Sequence, residues 1–208
     1  MIFDLILSGG ITMIPLLLLA LISLAIIFDK IIFYRKLVYI SDQQISKIEQ
    51  YNFNWQELID SIKTLPLKNC YRQFFQVIFD AKNQQIPLWW IESRVNDEAK
   101  IIEKKLISNL WILETIITAS PLIGLLGTII GMMSSFKIIG NNNLLNPQGV
   151  TAGVAESLIA TGFGLAIAII ALFAFNYFSR LQNYTIDEME RLANKLIDHI
   201  KIDRKISD

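Results

Sequence analysis

Along the 208-residue chain, hydrophobic positions gather into three stretches that carry no charged residue: Ile11–Phe28, Thr115–Phe136 and Ser157–Ser179. At about 1.5 Å of rise per helical residue, each is roughly 27–35 Å long, the thickness of a bilayer's hydrocarbon core. The pattern predicts three transmembrane helices. Elsewhere it changes to amphipathic helical spacing. Val38–Tyr51 reads as a continuation of the first helix, Tyr71–Ala81 as a short helix, and Trp90–Trp111 as a long helix running into the second span. Asn69, Asn83 and the neighbourhoods of Pro66 and Pro87 punctuate them. After the third span, Met189, Leu192, Ala193, Leu196, Ile197 and Ile200 fall at helical spacing, which suits a helix continuing from that span and packing on a cytoplasmic bundle. Gly140–Gly149, with three consecutive Asn and a Pro, reads as a loop.

The overall composition, 53% hydrophobic and 18% charged, averages these two kinds of segment. Outside the three windows, charged residues rise to about 26%, the level of an ordinary soluble domain. Basic residues are also unevenly placed. Residues 1–10 contain none, Asp29–Glu114 contains twelve, Lys137 stands alone between the second and third spans, and six follow Ser179. Because Lys and Arg stay on the cytoplasmic side, the N-terminus is expected outside and the C-terminus inside. The expected fold is an all-α integral membrane protein whose long helices extend into a cytoplasmic helical bundle. Its segments are a periplasmic N-terminus at 1–10, spans at 11–28, 115–137 and 156–179, a cytoplasmic helical domain at 29–114, a periplasmic loop at 138–155, and a cytoplasmic C-terminal helix at 180–208. The first span follows Asp4 rather than a basic segment and lacks a small-x-small cleavage site before Asp29, so it reads as a retained helix.

Several functions are excluded. A net charge of zero does not suit a nucleic-acid binder. The single cysteine, Cys70, permits neither a disulfide framework nor a multi-Cys metal site. With one histidine, His199, and no Gly-rich phosphate loop, the chain offers no Ser–His–Asp set and no metal-ligand spacing. No enzymatic activity, metal or cofactor is expected.

Spans two and three differ from the first, which carries Ile, Leu and Ala with Pro15 and could face lipid all round. In span two, Gly124, Gly127 and Gly131 recur every three or four residues and would let a neighbouring helix approach closely. Pro121 removes a backbone hydrogen bond and is expected to kink the helix, freeing the carbonyl of Ile117. In span three, Gly153, Ser157, Thr161, Gly164 and Ala168 share one stripe. Thr128 and Thr161 reach similar depths on helices that run in opposite directions. A membrane Thr ordinarily bonds back to its own helix, so each threonine alone is ambiguous between packing and function. Glu156 has two readings: an acid that needs a partner or water in the membrane, or a first-turn carboxylate favoured by the helix dipole. A polar, Gly-lined path across a membrane supports ion movement or force coupling, and three spans can hardly enclose one, so an oligomer is implied.

The segment Thr118-Ala-Ser-Pro-Leu-Ile-Gly-Leu-Leu-Gly-Thr-Ile-Ile-Gly-Met-Met-Ser-Ser-Phe136, followed by Gly153-Val-Ala-Glu-Ser-Leu-Ile-Ala-Thr-Gly-Phe-Gly-Leu165, resembles the paired signature of the ExbB/TolQ/MotA proton-channel family, on its ExbB and TolQ side. Ser120, Thr118 and the Gly162-Phe163 pair depart from the commoner small residues. The resemblance implies an inner-membrane proton channel and stator of a Gram-negative cell. Such a subunit would form a homopentamer around a single-span ExbD- or TolR-like partner that supplies the titrating aspartate, and would energise a TonB- or TolA-like protein. By the same resemblance Thr128 and Thr161 match pore-lining threonines, Glu156 the acid at the start of the third span, and Pro121 the kink proline. An ExbB-like role leads, a TolQ-like role is the alternative, and a structural membrane scaffold is the competing class.

Overall fold

The computed structural model describes residues 11–50, 53–83, 86–141 and 147–207. The expected periplasmic N-terminus at 1–10 and loop residues 142–146 lie outside the described residues. Among those described, the regular elements are all α-helices: α1 (Met13–Leu37), α2 (Asp42–Glu49), α3 (Trp55–Lys63), α4 (Cys70–Asn83), α5 (Leu88–Ile107), α6 (Leu110–Asn141) and α7 (Pro147–Ser207). Three stretches, Met13–Leu37, Leu88–Phe136 and Gly153–Arg204, are long and apolar enough to cross a membrane. The described residues are all-helical, with the long apolar helices of a membrane protein. Its contacts gather into two compact units, one holding residues up to Phe28 with Asn109–Phe178, the other Asp29–Ser108 with Ser179 onward.

Three local expectations need correction, and one helix was not anticipated. Val38–Tyr51 does not continue the first helix, because α1 ends at Leu37 and Ser41 caps a new one. The Ser41 hydroxyl accepts from the Gln43 amide at 3.4 Å, while the Gln44 side chain accepts from the Ser41 amide at 3.1 Å. Such a capping box satisfies amides that have no partner at a helix start. Trp90–Trp111 is likewise not one helix. It breaks at Ser108–Asn109, where Asn109 adopts a φ of 64°, a left-handed conformation that Asn tolerates better than most residues. Helix α3 was not predicted, and Asn54 starts it by accepting from the Gln56 and Glu57 amides at 3.0 and 3.5 Å. Finally, Gly140 and Asn141 still belong to α6, and Pro147 already opens α7, a position where its missing N–H costs nothing.

The unit built from Asp29–Ser108 and the end of α7 has a conventional core. Phe74, Phe75 and Ile78 of α4 are fully buried, as are Ile91, Ile102 and Leu106 of α5, Leu58 of α3 and Ile48 of α2. The predicted tail stripe closes it: Met189, Leu192, Ala193, Leu196, Ile197 and Ile200 are all buried. Cys70 lies in this core, and burial pushes its thiol pKa up to about 11, so it is an inert packing residue. Polar ties hold the periphery. Glu49 accepts from Arg191 and from Lys195, the latter at 3.0 Å, and these hydrogen bonds lower its pKa from the ordinary carboxylate value. His199 stacks on Phe53 with ring centres 4.0 Å apart. Lys30, only 1% exposed, donates to the Leu106 carbonyl at 2.7 Å and to Ser108 at 3.3 Å, capping the end of α5 beside the break.

Candidate functional site

Every candidate pathway residue falls in the other unit, on α6 and the first half of α7. Its core is small and hydroxyl-rich. Ser120, Ser135 and Ser157 are buried beside Leu113, Ile116, Ala160, Ile167 and Ala171, and among the described side chains of this unit no charged one is buried. Small residues let the backbones approach, which matters in a membrane because lipid gives helices no hydrophobic drive to associate.

The glycines mark where that approach is closest. A methyl group at Gly124 would sit 2.9 Å from Thr161 Cα and 3.0 Å from the Ala160 carbonyl oxygen. At Gly131 it would lie 2.8 Å from Ser157 Cβ, and at Gly164 it would run into the carbonyl of Ser120. Helices α6 and α7 therefore touch backbone to backbone along Gly124, Gly131 and Gly164. Gly127 is turned toward a different neighbour as well, with a methyl group there 2.6 Å from Thr12 Oγ1 and 3.0 Å from Ala160 Cβ. That contact corrects the picture of the first span as lipid-facing all round: Thr12, Met13, Leu16, Ser23 and Ile26 form a buried face. Pro121 is half-buried inside α6, which continues through it to Asn141.

Hydroxyl geometry separates the two threonines. Thr161 Oγ1 donates across the helix pair to the Gly124 carbonyl at 2.8 Å. Thr128 Oγ1 donates within its own helix, to the Leu125 carbonyl at 2.6 Å. Ser120, Ser135 and Ser157 also bond back, to Ile116, Gly131 and Val154 at 2.7, 2.9 and 2.7 Å. Among these five hydroxyls only that of Thr161 joins two helices. Gly124 precedes Thr128 by one helical turn, about 6 Å along the axis, so both threonines act on the same short stretch of α6. Glu156 lies in α7, one residue before buried Ser157, and its side chain lies outside the described residues.

Sequence reasoning missed the part played by Thr12. The first span offered no periodic signal, and a hydroxyl just ahead of Met13 gains meaning only from the Gly127 surface opposite it. The Ser120 carbonyl was also missed as a contact. Its signal was present in the small residues around Pro121, which leave that backbone uncovered.

Comparison with known proteins supplies the family. Residues 66–191, more than half of the chain, match the MotA/TolQ/ExbB proton channel family. A putative biopolymer transport protein, ExbB-like 3 of a Synechocystis species, is 31% identical over 180 residues, covering 84% of this chain and 83% of its own length. Biopolymer transport protein ExbB of Aquifex aeolicus is 37% identical over 79 residues, 38% of this chain and 53% of its own length. The Tol-Pal system protein TolQ of Pseudomonas aeruginosa is 43% identical over 93 residues, 45% of this chain and 40% of its own length. The matched span contains α6, the first half of α7 and the glycine contacts between them, and the chain belongs to the MotA/TolQ/ExbB proton channel family.

Proposed function

We propose that the chain is a subunit of an inner-membrane proton channel and stator that converts proton-motive force into mechanical energisation of TonB-dependent transport, in the manner of ExbB. The observation that carries this is the Thr161–Gly124 hydrogen bond at the centre of the α6–α7 pair, inside the segment that defines the family. It joins two helices through a hydroxyl whose oxygen keeps lone pairs for water or for a partner's carboxyl. Hydroxyls can carry a hydrogen-bonded chain without placing a permanent charge in the hydrocarbon, which is expensive.

In this reading Thr128, Thr161 and Glu156 line the path, and Pro121, Gly124, Gly127, Gly131 and Gly164 shape the helices around it. The N-terminus faces the periplasm and the C-terminal half of α7 the cytoplasm, in keeping with the distribution of Lys and Arg. The titrating carboxylate comes from a single-span, ExbD-like partner enclosed by a homopentamer of this chain. A TolQ-like role in envelope maintenance, with TolR- and TolA-like partners, is the second possibility, favoured by the 43% identity to TolQ over 93 residues. Neighbouring reading frames distinguish the two, by whether they encode a TonB- or a TolA-like protein.

Thr161→Ala and Glu156→Ala test the proposal in cells. The expected outcome is loss of proton-dependent uptake while the complex, recovered through a tag on this chain, still assembles. Uptake and assembly both surviving in both variants would contradict a channel role, and loss of assembly alone would favour a scaffold.

A further inference from the structure

Glu114 is the one acidic residue of α6 and stands near its start. From it runs a stripe at alternating steps of four and three: Glu114, Thr118, Pro121, Leu125 and Thr128 share one helix face. Glu114, Thr118 and Leu125 are exposed on the protomer, and Pro121 and Thr128 are half-buried beside them. The adjoining exposed surface of α6 is of another kind, since Leu122, Leu126, Ile129, Ile130 and Met133 suit lipid. One helix thus turns outward an apolar face and, beside it, a mixed stripe that carries two hydroxyls and a carboxylate together with Pro121 and Leu125.

The oxygens of that stripe have a common bias. Thr118 gives its proton to the Thr115 carbonyl at 2.9 Å and Thr128 gives its own to Leu125 at 2.6 Å, so what each presents outward is lone pairs. Pro121 has no N–H to offer the Ile117 carbonyl, which is left as a further acceptor. A row of acceptors ending in a carboxylate suits a donor that is small and mobile, namely protonated water.

We propose that Glu114 is the inner-end proton acceptor of the path, receiving protons that pass along the Thr128–Thr118 stripe. It rests on the channel function and topology proposed above. In each cycle the carboxylate takes one proton from the water chain, becomes a neutral acid, and releases that proton to cytoplasmic water, returning to its starting state with no other bond changed.

The test uses the complex purified through a tag on this chain and reconstituted in liposomes, with proton flux read from an internal pH dye under an imposed potential. Glu114→Gln and Glu114→Ala are expected to lower flux per assembled complex severalfold, and Glu114→Asp to restore most of it. Glu103→Gln, an exposed carboxylate of α5, is expected to behave as wild type. Wild-type flux in an assembled Glu114→Gln complex, with flux lost in Thr161→Ala, overturns the role of Glu114 and leaves the channel standing. Absence of flux in the wild-type complex overturns the channel itself. If neither neutral variant assembles, Glu114 is structural and the proposal fails.

Discussion

Thr161 and Thr128 are the same residue type in adjacent helices, yet their hydroxyls do different things. Thr161 bonds to Gly124 of the opposite helix, which is possible only because Gly124 presents bare backbone there. Thr128 satisfies itself on Leu125 and needs no neighbour. Two glycines of α7 show the same dependence on surroundings. Gly164 lies against the Ser120 carbonyl, whereas Gly162, two positions away, has nothing within 4 Å of where a Cβ would stand. Gly164→Ala should therefore force α6 and α7 apart at a cost of about 1–3 kcal/mol, as overpacking does. Gly162→Ala should be neutral within about 0.5 kcal/mol, or slightly stabilising because Ala favours helix. Unfolding each variant by titration with denaturing detergent measures the difference. Equal effects at the two positions would show that the α6–α7 contact at Gly164 is not tight.

At the scale of elements, the break between α5 and α6 is the least expected feature. Asn109 there lies in the left-handed region, and near the end of α5 Lys30 donates to the Leu106 carbonyl and the Ser108 hydroxyl. Asn109→Gly should be tolerated, because glycine adopts that conformation freely. Asn109→Val should cost about 1–2 kcal/mol, the penalty of a left-handed L-residue. Thermal unfolding of the purified protein compares them, and equal stability of the two variants would argue that the turn relaxes. The charge-free windows made the spans legible, because absence of charge over some twenty residues has few other physical causes. The buried stripe from Met189 to Ile200 was legible for a similar reason, its spacing matching one helix face. The break at Ser108–Asn109 was not, since neither Gly nor Pro marks it and the residues on both sides favour helix. Helix α3 was missed because it buries only Leu58 and Ile62, too few positions to establish a period. The buried face of α1 was hidden for the opposite reason: a helix apolar on every side gives no hint of which side packs.

On the scale of the whole molecule, the close contacts between α6 and α7 were legible as residue types but not as an arrangement. Gly124, Gly131, Gly164 and Thr161 could be picked out by residue type, while the contact of Gly127 with Thr12 and the helix-crossing direction of the Thr161 bond required coordinates. The exposed apolar surfaces of α6 and α7, from Leu122 to Phe136 and from Leu158 to Phe173, fit a bilayer or further subunits. The proposed function belongs to an assembly, and the property it stands on is movement of protons. The most direct measurement is proton flux into liposomes holding the tagged complex, comparing wild type with Thr161→Ala at equal assembly. A family channel whose path runs by Thr161 should show potential-driven flux that is largely lost in the variant; flux absent from wild type, or unchanged in Thr161→Ala, would contradict it.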